Sequence, residues 1–468
     1  MHDCLQSGGT TPAVTGRRAD AGRPPSRVTP ARACAFAVVR RVFEQDAWAD
    51  RALHAEARRL ALDPREHALA TQLAFGVVQR RATLDHLIEQ LAARPVDRLQ
   101  APVLAALRLG MFQLVFLDRV PAHAAVAESV ELAKPASRGG AGLVNAVLRR
   151  AAREGRARVA ALPDGTPGEA ALRHSHPEWI ARLWFAALGP EAARALMEAG
   201  NRAAEPALRA NLLRTTAADL AARLPVPSRA AEDLPEGLVL EAPFDAFGSP
   251  LWEEGLFMPQ SRAAMAVGRL LDPRPGERVL DLCAAPGAKT THLAALMGDE
   301  GAVVAVERHP GRAKALARTA ERMGARAVEV RTTDAAEPQE PGAYDRVLVD
   351  PPCSDLGTLA ARPDARWRKA PGQPERLAVT QGRILRAGAA ALKPGGTLVY
   401  STCTISPAEN EAVVQAFLAE RPDFEADDLR TERPVWQHPR APMFLQTLPH
   451  RDRTDGFFVA RLRRAARP

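Results

Sequence analysis

The sequence predicts a multidomain chain, with an all-α bundle in its N-terminal part and an α/β fold on a parallel, doubly wound sheet in its C-terminal part. Two observations carry this. From about residue 30 to 153, apolar residues recur at three- and four-residue spacing. From 276 onward, short runs rich in Val and Leu alternate with helical stretches.

In the first part, Ala33, Phe36, Ala37, Arg40 and Val42–Phe43 mark one helical face. Glu66–Gln79, Val103–Leu117, Ala124–Ala133 and Leu143–Ala151 repeat the pattern. Asp63-Pro64 and Val120-Pro121 supply the signals that stop one helix and start the next. The expected domain is residues 30–153, a helical bundle with short loops. Residues 1–29 are rich in Gly, Pro, Thr and Arg, have no apolar core, and read as a disordered tail rather than a signal peptide. Residues 154–175 lose periodicity and read as a linker; 176–255 read as a small α+β domain. Within 256–468, the expected strands are Arg278–Leu282, Ala302–Val306, Ala327–Val330, Tyr344–Val349 and Thr397–Tyr400. Gly456–Leu462 adds an edge strand. Helices are expected at Lys289–Leu296, Gly311–Arg322 and Glu375–Leu392.

Composition bounds the function. The 468 residues are 46% hydrophobic, enough for real cores, and the formal net charge is +8. A basic balance suits a polyanionic partner. Only Lys134, Lys289, Lys314, Lys369 and Lys393 among 63 basic residues are lysines, however. An Arg and Ala excess of this kind also follows from GC-rich coding, so charge alone does not select nucleic acid. The cysteines, at 4, 34, 283, 353 and 403, form no C-x-x-C pair. This argues against zinc and against a disulfide framework, and fits a reducing cytoplasm. No run nears the roughly 18 apolar residues of a membrane span.

Val279–Thr290 reads as a strand, a tight turn of small residues, and a helix. Small residues let backbone approach a ligand at the strand's carboxyl end. The turn, Cys283-Ala284-Ala285-Pro286-Gly287-Ala288-Lys289, lacks both the G-x-G-x-x-G of a dinucleotide site and the spacer of a P-loop. Acids follow at three successive strand ends. Glu307 is suited to a ribose diol, Asp334 to an adenine amino group, and Asp350 closes the next strand. Two cysteines complete the set. Cys353 follows Asp350-Pro351-Pro352, and Cys403 follows Ser401-Thr402 after the next strand. Neighbouring parallel strands lie about 5 Å apart, so both thiols are expected in one cleft beside the cofactor loop. Cys4 and Cys34 are expected to be structural.

These motifs resemble those of the NOL1/NOP2/Sun family of RNA 5-methylcytosine methyltransferases. The resemblance rests on Asp281–Thr290, Asp350–Ser354, Ser401–Cys403 and Asp455–Phe458, with Leu256–Ser261 as an entry segment. Leu73–Val77, His123–Val126 and Gly142–Arg149 further resemble a NusB-like domain. A NusB-like bundle joined to a Rossmann-type catalytic domain is the arrangement of the family's bacterial 16S rRNA cytosine methyltransferases. The resemblance implies S-adenosylmethionine as cofactor, held by Cys283–Lys289, Glu307, Asp334 and Asp350. It implies Cys403 as nucleophile and Cys353 as the group aiding product release. It also implies 16S rRNA, or a small-subunit assembly intermediate, as partner; a monomer is expected, and no metal.

The chemistry explains two thiols. Carbon 5 of cytosine is a poor nucleophile until a thiolate adds at carbon 6. An acid near ring nitrogen 3 stabilises the adduct, and Asp350 suits that need. A base must then remove the carbon 5 proton. The residues alone identify the thiol pair; which thiol attacks follows from the resemblance.

Some positions depart from the family. Ala288 replaces a usual Gly, Asp355 opens a turn that is commonly Gly-rich, and Ala360-Ala361 replaces a basic pair. Arg138, Arg149, Arg150, Arg153 and Arg156 form a basic cluster, and Arg366-Trp367-Arg368-Lys369 forms another. Both are expected to face RNA, the second by stacking as well as charge. Two alternatives stand beside this reading: a non-enzymatic RNA-binding or antitermination factor, and a DNA cytosine methyltransferase.

Overall fold

The computed structural model describes residues 28–466. Most of the expected tail, and Cys4, lie outside the described residues. Thr29, counted with that tail, instead belongs to the bundle: its amide and hydroxyl donate to Glu128 at 2.7 and 2.8 Å.

The bundle comprises helices Pro30–Gln45, Ala49–Arg59, Pro64–Gln79, Arg81–Ala92, Ala101–Phe116, Ala122–Ala133 and Arg138–Ala160. Asp63 caps the third by accepting from the Glu66 amide. Ala101–Phe116 is apolar on nearly every face because its neighbours surround it. Cys34 is fully buried in this core, and burial pushes its thiol up to about 11, as fits a structural residue. The expected linker is largely helical. Residues 154–160 extend the seventh helix, and Pro167–His174 forms another. A Thr166/Glu169 capping box starts that helix, a signal hidden in a Gly/Pro-rich stretch.

The small α+β region carries strands β1 (Ala207–Ala210), β2 (Ser228–Ala231), β3 (Leu234–Leu240) and β4 (Phe257–Pro259). They pair antiparallel in the order β2-β3-β1-β4. This sheet therefore takes residues from both sides of the expected boundary at 255/256. Two buried side chains wire it to the C-terminal part of the chain. Arg209 on β1 donates to Gln260 Oε1 (2.5 Å), to Thr291 Oγ1 (3.0 Å) and to the Ala288 carbonyl. Glu236 on β3 binds Arg269 and, at 2.8 Å, His292 Nε2. Both side chains thus brace the helix Ala288–Leu296.

The main sheet holds β5 (Arg278–Leu282), β6 (Ala302–Val306), β7 (Val328–Arg331), β8 (Tyr344–Val349), β9 (Leu392–Thr402), β10 (Phe424–Ala426), β11 (Leu445–Gln446) and β12 (Phe458–Arg464). Its order is β10-β12-β9-β8-β5-β6-β7, with β5 through β9 parallel. The strand order reverses between β5 and β8, which opens a crevice outside their carboxyl ends. The last strand is not an edge, as expected, but an inner strand: β10 pairs on its far side.

The Arg366–Lys369 segment differs from its expected role as an RNA contact. Arg366 is fully buried and donates to the carbonyls of Ser175 (3.1 Å), Gly200 (2.6 Å) and Leu359 (3.3 Å) and to Asn201 Oδ1 (2.8 Å). Trp367 packs on the bundle core and donates to the Val78 carbonyl at 2.7 Å. Arg368 reaches Asp46 and the Ala47 carbonyl, and Lys369 binds Asp355. Protein acceptors take up most of these donors, so the segment is a clasp between domains. In the other basic cluster, Arg150, Arg153 and Arg156 bind bundle carbonyls, yet all three, like Arg149, remain exposed. The Arg138 side chain lies outside the described residues.

Arg366→Met should strip charged donors from buried carbonyls, at a cost of about 2–4 kcal/mol. Calorimetry should then show separate bundle and catalytic transitions; an unchanged single transition would show that the clasp does not couple them. Burial pushes His292 down to about 4, so it stays neutral at pH 7. Its folded value lies below the unfolded one, so its contribution is whole above about pH 6.5 and is lost as pH falls through 4. Urea midpoints at pH 7, 5.5 and 4.5 should fall for the wild type, with a shallower slope for His292→Asn.

Candidate active site

The cofactor loop leaves β5 at the crevice. Cys283 takes a left-handed conformation (φ 66°), and the Ala284 amide donates to the Val306 carbonyl at 2.9 Å. Gly287 is the position that needs glycine. Its φ is 105°, and an added Cβ would sit 2.7 Å from Leu316 Cδ1. Ala288 opens the next helix outside the left-handed region, so its methyl group is accommodated despite the departure from the family pattern.

The acids leave adjacent strand ends, as the pairing of Leu282 with Val306 and Val349, and of Val306 with Arg331, requires. Buried Glu307 accepts from the His309 amide (2.9 Å) and lies 3.3 Å from Arg312. Asp334 accepts from the Ala336 amide at 2.9 Å. Asp350 is held from two sides, by Lys289 Nζ and Ser401 Oγ, each at 2.8 Å. Burial works against the Lys289 ammonium, yet Asp350 outweighs it and keeps the lysine above its usual value. Asp281 is buried with Thr290 Oγ1 on one oxygen (2.6 Å) and no partner among the described residues on the other. Burial pushes its carboxyl up to about 7. Burial, then Asp350, also pushes the Cys283 thiol far up, which disfavours its thiolate.

Cys353 and Cys403 meet across β8 and β9, with their sulfurs 3.3 Å apart. Two devices fix the loop that carries Cys353. Gly357 donates its amide to the Cys403 carbonyl (3.0 Å) and accepts from the Gly456 amide (2.8 Å). Its Cβ would fall 1.8 Å from the Gly456 oxygen, so only glycine permits the approach. Glu409, fully buried, accepts from the Ser354 amide (2.8 Å), the Ser354 hydroxyl and Gln381 (3.0 Å). Burial pushes the Glu409 carboxyl up. The hydrogen bond with Cys353, then burial and the nearby carboxylates, hold the Cys403 thiol well above its ordinary value.

Sequence reasoning singles out the loop, the three acids and the thiol pair, and the structure gathers them along one edge of the sheet. It misses Glu409, which no periodicity distinguishes from a solvated acid, and the supporting Arg209. It marks Asp355 only as a departure. The Asp355 carboxylate lies 3.3 Å from Cys403 Sγ and 3.8 Å from Cys353 Sγ, with Lys369 on its other oxygen at 2.8 Å.

Comparison with known proteins accords with this architecture. Residues 268–463 match the 16S rRNA methyltransferase RsmB/F family, residues 29–153 the NusB family, and residues 176–246 a RsmF/B-like ferredoxin-like domain. The chain is 37% identical over 446 residues to a probable ribosomal RNA small subunit methyltransferase B of Synechocystis, covering 93% of this chain and 99% of the relative. It is 37% identical over 427 residues to ribosomal RNA small subunit methyltransferase B of Thermus thermophilus, covering 89% and 92%. Among solved structures, PH0851 superposes with a TM-score of 0.78 at 25% identity, covering 93% of this chain and 99% of that one. A methyltransferase homolog from Pyrococcus horikoshii gives 0.55 at 28%, covering 63% and 98%. With a NusB domain, a crevice at the reversal of strand order and relatives that match along nearly its whole length, the chain belongs to the RsmB/F family of S-adenosylmethionine-dependent methyltransferases.

Proposed function

We propose that the protein methylates carbon 5 of a cytosine in 16S rRNA through a covalent bond from Cys403 Sγ to cytosine carbon 6, with Cys353 aiding release. The observation that carries this is the contact of the two thiols, 3.3 Å apart at adjacent strand ends, beside the cofactor loop. The rRNA substrate is supported by relatives named small subunit methyltransferases. Among the described residues no helix is long and apolar enough to cross a membrane.

The residues of the crevice fit the cofactor. The unpartnered Asp281 oxygen is a buried acceptor open to a donor, and Gly287 supplies the left-handed turn of the loop, which a side chain pressed on Leu316 would strain. Cys283–Lys289, Glu307, Asp334 and Asp350 are assigned to hold it. When bound, it supplies an electrophilic methyl group. The chain's own residues do the rest. Cys403 adds to the ring, and the Lys289–Asp350 pair carries the proton shared with ring nitrogen 3. Cys353 assists departure of the carbon 5 proton and of the first thiol. A paired target base must be flipped out of its helix to reach these groups. The proposed unit is a monomer working without a metal.

Cys353→Ala should accumulate a protein–RNA adduct with 16S rRNA and methyl-labelled cofactor on denaturing gels. Cys403→Ala and the double variant should not. Adducts that require Cys353 would reverse the roles, and methyl uptake by duplex DNA instead of RNA would favour the DNA enzyme. Gly287→Ala should strain the loop by roughly 1–2 kcal/mol. Calorimetric titration should then show cofactor affinity about tenfold weaker; unchanged affinity would remove this loop from the binding site.

A further inference from the structure

Asp355 takes no part in the steps assigned to Cys403, Cys353 and the Lys289–Asp350 pair, yet its carboxylate lies against both thiols. Its Oδ1 is 3.3 Å from Cys403 Sγ and 3.8 Å from Cys353 Sγ. Donor and acceptor atoms of Cys353, Asp355 and Cys403 all fall within 4.8 Å of one another. The backbone is shaped to present it: Asp355 takes a left-handed conformation (φ 57°), and its carbonyl accepts from the Thr358 amide and hydroxyl, each at 3.1 Å. Such a conformation is uncommon outside glycine, and here the residue that adopts it carries a carboxyl group. Lys369 Nζ, itself tied into the interdomain clasp segment, holds Oδ2 at 2.8 Å and leaves Oδ1 turned to the sulfurs.

The thiol needs such a neighbour. Cys353, burial and the surrounding carboxylates keep Cys403 protonated at rest. A protonated thiol adds poorly to a ring carbon, so a proton must leave as the carbon–sulfur bond forms. Lys289 already pairs with Asp350, and Glu409 is occupied by Ser354 and Gln381.

We propose that Asp355 is the general base for Cys403, a catalytic residue that touches the reacting sulfur. This rests on the reading of Cys403 as nucleophile. The Cys403 S–H bond breaks and its proton forms an O–H bond with Asp355 Oδ1. The sulfur electron pair forms the bond to carbon 6, the carbon 5–carbon 6 π bond opens, and ring nitrogen 3 takes a proton from the Lys289–Asp350 pair. At release the carbon 6–sulfur bond breaks, Asp355 returns its proton to sulfur, and the proton on nitrogen 3 goes back to the pair. The proton lost from carbon 5 belongs to the step assigned to Cys353. Lys369 is a positioning residue for the carboxylate.

The test is the rate of adduct formation in the Cys353→Ala background, which isolates Cys403. Adding Asp355→Asn should slow trapping by roughly 10²–10⁴-fold at pH 7. The deficit should shrink as pH rises, because hydroxide takes over deprotonation. Cofactor affinity should not change. Asp355→Gly, which keeps the left-handed turn without strain, should show the same slowing and serves as the folding control. Equal trapping rates with and without Asp355 would overturn the base assignment and leave Cys403 as nucleophile. Slowing that no pH relieves would make the residue structural, which also overturns it. No adduct in Cys353→Ala at any pH would instead defeat the covalent reading beneath it.

Discussion

The site depends on the register between two parallel strands. Val349 on β8 faces Tyr400 on β9, so the turns that carry Cys353 and Cys403 emerge side by side. A slip of one residue would shift one turn by about 3.3 Å and put its side chains on the opposite face. Much of the surrounding structure guards this pairing. The Tyr400 hydroxyl donates to the Glu409 carbonyl at 2.6 Å, while the Glu409 carboxylate holds Ser354. Gly357 closes the third side by backbone contact alone. A loop between a strand and its helix is ordinarily the mobile part of this fold, yet here it is fastened at several points to turns that come later in the chain.

Charge at the crevice is managed by concentration. Asp281, Glu307, Asp350, Asp355 and Glu409 crowd one edge of the sheet, and burial raises the proton affinity of Asp281 and Glu409. Of the five lysines, two are placed here, Lys289 on Asp350 and Lys369 on Asp355. Elsewhere arginine more often serves, as a planar fork for carbonyls and carboxylates, with Lys393 on Asp345 an exception. Lysine is a compact charge on a flexible stem, and here it meets one carboxylate oxygen and leaves the other to Ser401 on Asp350 and to the sulfurs on Asp355. An arginine there would tend to engage both oxygens at once.

How much of this is legible in the chain depends on the range of the interaction that sets it. Alternating Val- and Leu-rich runs are local signals, and they yield the parallel strands and so the meeting of Cys353 with Cys403. The small-residue turn at Cys283–Ala288 is local too. The Arg366–Lys369 segment misleads because arginine and tryptophan suit RNA and buried carbonyls equally well, and only the tertiary fold supplies the carbonyls of Ser175 and Gly200. The final strand reads as an edge because the three-residue β10 that covers it is too short to show in the pattern. Asp355 stands out as an exception to a family pattern, but its meaning lies in the distance to two sulfurs, which no spacing along the chain encodes.

The Arg366 clasp bears on how this protein can be taken apart. The domain-by-domain matches suggest a modular chain, in which the helical bundle could be exchanged or removed like a cassette. Arg366 grows from the same loop as Cys353 and ends among acceptors supplied by residues 175, 200 and 201. Trp367 lies against the bundle itself. A truncation or chimera that omits those surfaces would leave a buried guanidinium and an indole in water at the margin of the reaction centre. The workable unit for engineering is therefore the pair of domains together with the segment between them, and any foreign bundle must bring its own seat and carbonyl acceptor for Trp367.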